Sequence, residues 1–182
     1  MDTSSIIAII LFPVLMLVFG TLGGIITAKK IKTWYLPLKK PKLNPPSWIF
    51  GPVWTLLYIS IGFSGYLFWA EKKEFNSDDS GAWFFYFFQI LLNLMWTPIF
   101  FGANYLLLAG FDSVLMVIAT LVNIIMFAQK NVLSGCLLIP YLCWISFATY
   151  LNFAIWLLNR NLKTEKEQEL RVDSKIEDAK EK

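Results

Sequence analysis

The chain has 182 residues, of which 57% are hydrophobic and 17% aromatic, and its formal net charge is +3. Soluble domains are usually just under half apolar, so this composition excludes an ordinary soluble domain and predicts an integral membrane protein. The sequence has no histidine, and its two cysteines, Cys136 and Cys143, are seven positions apart on one predicted helix. We therefore expect neither a metal site nor a disulfide.

Five apolar segments are long enough to cross a bilayer, for which about 20 residues are needed. We predict an all-α integral membrane protein with a five-transmembrane-helix domain at residues 1–160 and a charged C-terminal tail at 161–182. No positively charged stretch precedes the first segment and no small-residue cleavage pattern follows it, so we expect a retained span and not a signal peptide. The predicted spans are 5–28, 47–70, 82–101, 106–129 and 132–159.

Lysine and arginine are concentrated on one side of the predicted bundle. The loop after the first span holds six lysines, and Arg160 together with the tail makes seven basic residues, whereas the opposite side holds Lys72, Lys73 and Lys130. The side richer in basic residues usually faces the cytoplasm, so we expect the first loop and the C-terminus to be cytoplasmic.

Residues 34–58, the first loop and the start of the second span, combine prolines, lysines and aromatic residues. Four prolines between positions 37 and 46 restrict the backbone, so we expect an extended, pre-shaped cover over the bundle. Ser47 is the predicted N-cap of the second helix. Trp54 and Tyr58 are four positions apart and should share a face next to Gly51, and this face is predicted to be the wall of a site.

Small and amide residues occur inside two of the spans. Gly20 and Gly24 are spaced for close helix approach, which serves either packing within the chain or a dimer contact. Gln89, Asn93 and Trp96 share one face of the third span, and amides in hydrocarbon usually face the bundle interior. Asn93 then either links helices or faces a ligand.

The fourth span contains an acid, and the fifth span contains a tryptophan spaced one helical turn from a small residue. Asp112 lies close to the preceding turn, and we expect it near the helix N-terminus or the membrane interface. Trp144 and Ala148 are four positions apart, so a broad aromatic surface stands next to a small residue. Taken alone, this pair is compatible with ordinary bundle packing.

Three motifs occur together and in order. They are W-Y-x-x-L-x-K-P-x-x-x-P-P in the first loop, G-P-V-W-x-x-L-Y in the second span and N-x-x-W-x-P-I-F-F-G-A at the end of the third span. From about Gly23 to Trp156 the chain resembles the translocator protein family, also called the peripheral-type benzodiazepine receptor or, in bacteria, the tryptophan-rich sensory protein.

The resemblance implies a five-helix bundle, often a homodimer, that binds hydrophobic ligands in a pocket under the first loop. The implied ligands are tetrapyrroles such as protoporphyrin IX, sterols such as cholesterol, and synthetic isoquinoline carboxamides and benzodiazepines. We expect membrane lipid as a further partner, and no cofactor, metal or nucleic acid. The implied location is the mitochondrial outer membrane in a eukaryote and the cell membrane in a bacterium. The positions that match the family's pocket are Tyr35, Pro45, Phe50, Trp54, Asn93, Trp96, Trp144 and Ala148.

Animal members of that family carry a cholesterol-recognition pattern at the end of the fifth span, with a central tyrosine and a basic residue after it. The matching positions here hold Phe153 and Leu157, and the nearest basic residue is Arg160. Such motifs are weak even when intact, so a sterol site at Phe153 and Arg160 is the least supported expectation.

Two other functions fit the sequence. One is light-dependent porphyrin degradation, in which Trp54 and Trp144 would exchange electrons with the macrocycle and the chemistry would belong to the excited ligand. The other is an ion or proton channel, although Asp112 is the one acid embedded in an apolar run and conduction paths usually carry several polar groups. We favour a protein that binds, senses or transports hydrophobic ligands and is not an enzyme.

Overall fold

The computed structural model describes residues 2–75 and 77–161, so all of the predicted tail except Asn161 lies outside the described residues. Within these ranges the chain contains no strand, and five helical segments are long and apolar enough to cross a membrane. The predicted fold class, an all-α bundle of five membrane-spanning helices, is confirmed.

The five spans are formed by six α-helices, because the last span is divided in two. α1 packs along α2, α2 packs against α5, and α4 packs against α3, α5 and α6. Two π-helical turns, Ile31–Tyr35 and Pro98–Gly102, extend α1 and α3 toward the first loop. The α-helices are α1 (Thr3–Lys30), α2 (Ser47–Ala70), α3 (Ser80–Thr97), α4 (Leu106–Ala128), α5 (Val132–Leu137) and α6 (Ile139–Asn159).

The first loop is less extended than predicted. Trp34 and Tyr35 belong to the π-helical turn that continues α1, and the irregular backbone begins only where Pro37 prevents further helix. The prediction that Ser47 caps α2 was wrong. Pro46 holds the N-cap position with extended backbone, φ −55° and ψ 139°, and Ser47 is already the first helical residue.

The fifth span is interrupted near its start. Pro140 lacks an N–H and cannot complete the helical ladder, so α5 ends at Leu137 and α6 begins at Ile139. Serine hydroxyls on α2 bind the backbone at this break: Ser60 Oγ donates to the Leu137 carbonyl at 2.6 Å and Ser64 Oγ donates to the Ser134 carbonyl at 2.7 Å. The half of the bundle remote from the first loop is therefore joined by short polar contacts.

Glycines allow α1 and α2 to approach closely. A Cβ at Gly62 would lie 2.4 Å from Pro13 Cα, so the two backbones touch at this point. Gly20 packs directly against the Tyr58 ring, whereas Gly24 has no atom near its Cβ position. Of the two alternatives for the glycine pair, packing within the chain therefore applies to Gly20.

Large apolar side chains are exposed on the outer face of the bundle. On α4 they recur three or four positions apart and form a continuous stripe, in contrast to the polar residues Asp112, Thr120 and Asn123 that face inward. This inside-out pattern is what a bilayer requires, since apolar side chains cost nothing when they face lipid. The exposed stripe on α4 consists of Leu108, Phe111, Leu115, Ile118, Leu121 and Ile125.

Candidate functional site

The predicted site residues can be ranked by depth from the direction of their helices. α2 runs away from the first loop, while α3 and α6 run toward it. At 1.5 Å per residue, Tyr58 lies roughly 16 Å below the start of α2. Three levels follow from this ranking: the first loop with the aromatic residues beneath it, then the aromatic pocket of Phe50, Trp54 and Trp144, and then the polar floor of Tyr58, Gln89, Asn93 and Tyr141.

The first loop is fastened to the aromatic residues beneath it. Tyr35 is 7% exposed, and its ring lies 6.2 Å from Phe100 and 5.7 Å from Phe101. Its hydroxyl donates to Asn44 Oδ1 at 3.0 Å, and Asn44 Nδ2 donates to the Pro45 carbonyl at 3.0 Å. Burial raises the pKa of the Tyr35 hydroxyl. Tyr35 and Pro45 thus belong to the cover of the pocket and shape it through Asn44.

A second attachment joins the loop to the end of α6. The Lys39 N–H donates to Asn159 Oδ1 at 2.9 Å, and Asn159 Nδ2 donates to the Lys39 carbonyl at 2.8 Å. Asn159 Nδ2 also donates to the Ile155 carbonyl at 2.7 Å, which fixes the amide orientation. One side chain therefore clamps the loop backbone from a position 120 residues away, and we call this contact the Asn159 clamp.

The lysines of the loop have different surroundings. Lys40 Nζ donates to the Leu36 and Leu38 carbonyls at 2.8 and 3.0 Å and lies 4.7 Å above the Tyr35 ring. Partial burial lowers the pKa of the Lys40 ammonium group. The side chains of Lys39 and Lys42 are exposed. These two side chains, and not Lys40, can meet an anionic group at the mouth of the pocket.

The aromatic pocket lies below the loop, between α2 and α6. Phe50 meets Trp144 edge to face at 5.7 Å, and Trp54 stacks on Tyr58 at 5.5 Å and contacts Tyr141 at 6.3 Å. The predicted shared face of Trp54 and Tyr58 is therefore confirmed. Trp144 Nε1 is buried and has no hydrogen-bond partner among the described residues. The pocket thus offers flat apolar surfaces and one indole N–H donor, with the partly buried Ala148 one turn from Trp144.

A hydrogen-bond network crosses the polar floor. Tyr58 Oη donates to Asn93 Oδ1 at 2.8 Å, and Asn93 Nδ2 donates to Tyr141 Oη at 3.1 Å and to Met116 Sδ at 3.7 Å. Asn93 therefore links α3 to α2, α4 and α6. The spacing of Gln89 and Asn93 predicted their inward orientation, and both are buried, at 0% and 8% exposure.

We predict that Tyr58→Phe lowers the free energy of unfolding by about 0.6–1.7 kcal/mol, the range measured for hydrogen bonds between membrane helices. The substitution keeps the ring on Trp54 and removes only the donor to Asn93. Unfolding by denaturing detergent measures the effect. The matched control is Tyr150→Phe, because the Tyr150 side chain is 47% exposed. Equal losses in the two variants would contradict the assigned role of the Tyr58 hydroxyl.

Trp96 connects the aromatic pocket to the aromatic residues under the loop. Its ring stacks on Phe100 at 4.6 Å and its Nε1 donates to Asn152 Oδ1 at 3.1 Å. Asn152 Nδ2 in turn donates to the Leu106 carbonyl at the start of α4, at 2.6 Å. Neither Asn152 nor Asn159 was predicted as a site residue, although amides inside an apolar span indicate contacts within the bundle.

A small cavity of about 10 Å³, roughly the space of one water molecule, lies at the level of the polar floor. Polar groups come from Tyr58, Gln89, Asn93 and Tyr141, and the remaining lining is apolar. Pockets for drug-sized ligands usually measure about 300–1,000 Å³. A ligand larger than a water molecule therefore has to move the lining side chains apart. The apolar lining residues are Met16, Phe19, Ile61, Ile90 and Leu94.

The family model described as TspO/MBR matches residues 10–157, which is most of the chain. The chain belongs to the TspO/MBR family. It is 41% identical over 143 residues to a tryptophan-rich protein TspO of Archaeoglobus fulgidus, covering 79% of this chain and 91% of the relative. It is 39% identical over 123 residues to the translocator protein of Homo sapiens, covering 68% and 73%. It is also 36% identical over 129 residues to a tryptophan-rich sensory protein of Cereibacter sphaeroides, covering 70% and 78%.

Two of these relatives are named as a translocator protein and a sensory protein, the third is named a tryptophan-rich protein, and none of the three has the name of an enzyme. Family membership together with five apolar helices makes the chain an integral, multi-pass membrane protein. The predicted family and the membrane location are therefore confirmed, and the prediction that the protein is not an enzyme agrees with these names.

Phe153 and Arg160, the residues of the predicted sterol site, lie outside the aromatic pocket. Phe153 packs against Gly110 and lies 6.1 Å from Phe111, while the exposed Arg160 lies over the Trp156 ring at 5.7 Å. The structure thus gives Phe153 and Arg160 separate neighbours, and a sterol site there stays a prediction.

Asp112 is buried inside the bundle near the start of α4. It is 8% exposed in the second turn of α4, on the same buried face as Ala109 and Met116, and its Oδ2 has no hydrogen-bond partner among the described residues. Its place in the second turn agrees with the expected position near the helix N-terminus, and helix periodicity turns the side chain toward the bundle interior. The alternative, a position at the membrane interface, stays a prediction.

Proposed function

We propose that the protein binds flat hydrophobic ligands, tetrapyrroles such as protoporphyrin IX and sterols, in the aromatic pocket beneath the first loop, and senses or transports them. The observation that supports the proposal is the cluster of aromatic side chains beneath the first loop. Phe50 packs edge to face on Trp144, and Trp54 packs on Tyr58 and Tyr141. The Asn159 clamp holds the loop in place above them. Isoquinoline carboxamides and benzodiazepines have the same aromatic character and are proposed to use the same surfaces.

A conjugated macrocycle suits these surfaces for a physical reason. Offset stacking contributes on the order of 0.5–1.5 kcal/mol per aromatic pair beyond the burial of area. The unpartnered N–H of Trp144 can donate to a ligand acceptor. The exposed lysines Lys39 and Lys42 can meet propionate groups at the membrane surface, where each exposed pair is worth up to about 1 kcal/mol.

The lysine-rich first loop sets the proposed orientation, with this loop and the C-terminus in the cytoplasm. The proposed location is the mitochondrial outer membrane if the source is a eukaryote and the cell membrane if it is a bacterium. A homodimer stays a prediction. The open space beside Gly24 is compatible with the approach of a second helix.

A titration of the purified protein with protoporphyrin IX in the dark, followed by tryptophan quenching, tests the proposal. We expect saturation at micromolar ligand, and affinity weakened roughly three- to tenfold by Trp54→Leu or Trp144→Leu, because one stacking partner is lost. The matched control is Trp48→Leu, since Trp48 lies on α2 but is 74% exposed. Quenching that never saturates, or that all variants share, would refute binding within the helices.

A further inference from the structure

Gln89 has a buried amide side chain that forms no hydrogen bond to another described residue. It lies on α3 one turn deeper than Asn93, is 0% exposed and lines the cavity. Neither its Nε2 nor its Oε1 has a hydrogen-bond partner among the described residues. Burying an unpaired amide is costly, particularly inside a membrane span, so a buried polar group of this kind needs a reason.

A comparison with Asn93 shows that Gln89 is not buried in order to link helices. Both Nδ2 hydrogens of Asn93 are used, by Tyr141 Oη and Met116 Sδ, and its Oδ1 accepts from Tyr58. Asn93 is therefore occupied in linking helices. Gln89 contributes no link between helices, and its two donors and its acceptor remain available at the cavity.

We propose that Gln89 is the hydrogen-bonding contact for the end of a ligand that enters deepest, and that the site selects ligands with a compact neutral polar group there, such as a hydroxyl or a carboxamide. This inference rests on the proposed function, since it concerns the same pocket. A group that both donates and accepts can satisfy both ends of the amide, which an apolar group of the same shape cannot.

The charge of the cavity lining excludes an ionised group at the same place. Apart from the hydroxyls of Tyr58 and Tyr141, the described residues that line the cavity have no ionisable side chain. A carboxylate would lie unpaired among apolar residues, which costs far more than a neutral polar group. The propionates of a tetrapyrrole therefore stay at the loop, near Lys39 and Lys42, and a sterol enters with its hydroxyl first.

Radiolabelled cholesterol and radiolabelled 5-cholestene, which lacks the 3-hydroxyl group, test the inference with the full chain in lipid nanodiscs. We expect the wild type to prefer cholesterol by roughly three- to tenfold, the effect of one hydrogen bond. Gln89→Met keeps the length of the side chain and removes its polar atoms, so it should bind both sterols alike. Gln129→Met, at an exposed glutamine after α4, should retain the preference.

Thermal stability separates this role from a structural one. Gln89→Met should raise Tm by about 2–4 °C without ligand, because it removes an unpaired buried amide. A fall in Tm would show that Gln89 supports the fold and would overturn the inference. So would equal binding of the two sterols by the wild type, or a full preference in Gln89→Met.

Protoporphyrin IX, titrated in parallel, separates the two proposals. Saturable porphyrin binding with no preference for the sterol hydroxyl would overturn the role of Gln89 and leave the proposed function intact. Absence of saturable binding by porphyrin and by both sterols would overturn both proposals.

Discussion

Replacing Asn159 with leucine is expected to release the first loop from the bundle. The substitution removes the two hydrogen bonds that the Asn159 clamp makes to the Lys39 backbone. Each such bond contributes about 0.5–1.5 kcal/mol, so we expect the Lys39 amide to exchange its hydrogen roughly tenfold faster or more. Hydrogen exchange followed by mass spectrometry measures the loop directly and does not depend on any ligand.

The same variant should shorten the lifetime of a bound ligand. If the loop covers the pocket, dissociation of protoporphyrin IX should accelerate by roughly tenfold, while association changes less. Stopped-flow displacement measures both rates. Asn161→Leu is the matched control, because Asn161 has the same side chain two positions later and is exposed. Faster exchange with an unchanged dissociation rate would show that the loop does not retain the ligand.

Gly62→Ala is expected to separate α1 from α2 and to destabilise the protein by about 1–3 kcal/mol or more. The new Cβ would lie 2.4 Å from Pro13 Cα and 2.6 Å from Pro13 N. Both are backbone atoms, so no side chain can rotate to make room and α1 itself has to shift. The melting temperature should fall by roughly 2–12 °C.

Gly24→Ala is the matched control for Gly62→Ala. Alanine favours helix over glycine by about 1 kcal/mol at either position, so that contribution cancels in the comparison. Among the described residues no atom lies within 4 Å of the Cβ position at Gly24, and we expect this variant to be at least as stable as the wild type. A melting temperature that falls equally in both variants would contradict the assigned contact with Pro13.

Helical spacing accounts for what the sequence predicted well. The shared face of Trp54 and Tyr58 and the inward orientation of Gln89 and Asn93 follow from positions four residues apart. Such relations are local, so they hold wherever the helix forms. The number of spans could also be predicted from the sequence, because crossing a bilayer requires an apolar helix of known length.

Contacts between distant segments explain what the sequence did not show. The Asn159 clamp joins positions 120 residues apart and binds a backbone, which has no sequence signature. Trp34 and Tyr35 of the π-helical turn pack against Phe100 and Phe101, which are distant in sequence, so spacing within the first loop does not reveal these contacts. The helix break before Ile139 could have been predicted from the sequence, since Pro140 interrupts the helical hydrogen bonds there.

Gly62 and the aromatic residues beneath the loop differ in how far a substitution would reach. Gly62 meets the Pro13 backbone, so a larger side chain at this position displaces a whole helix. Phe50, Trp54 and Trp144 meet their neighbours through side-chain rings. Another aromatic residue at one of these three positions changes the shape of the lining without bringing two backbones into contact. A designer who wanted a different ligand would vary Phe50, Trp54 and Trp144 and keep Gly62.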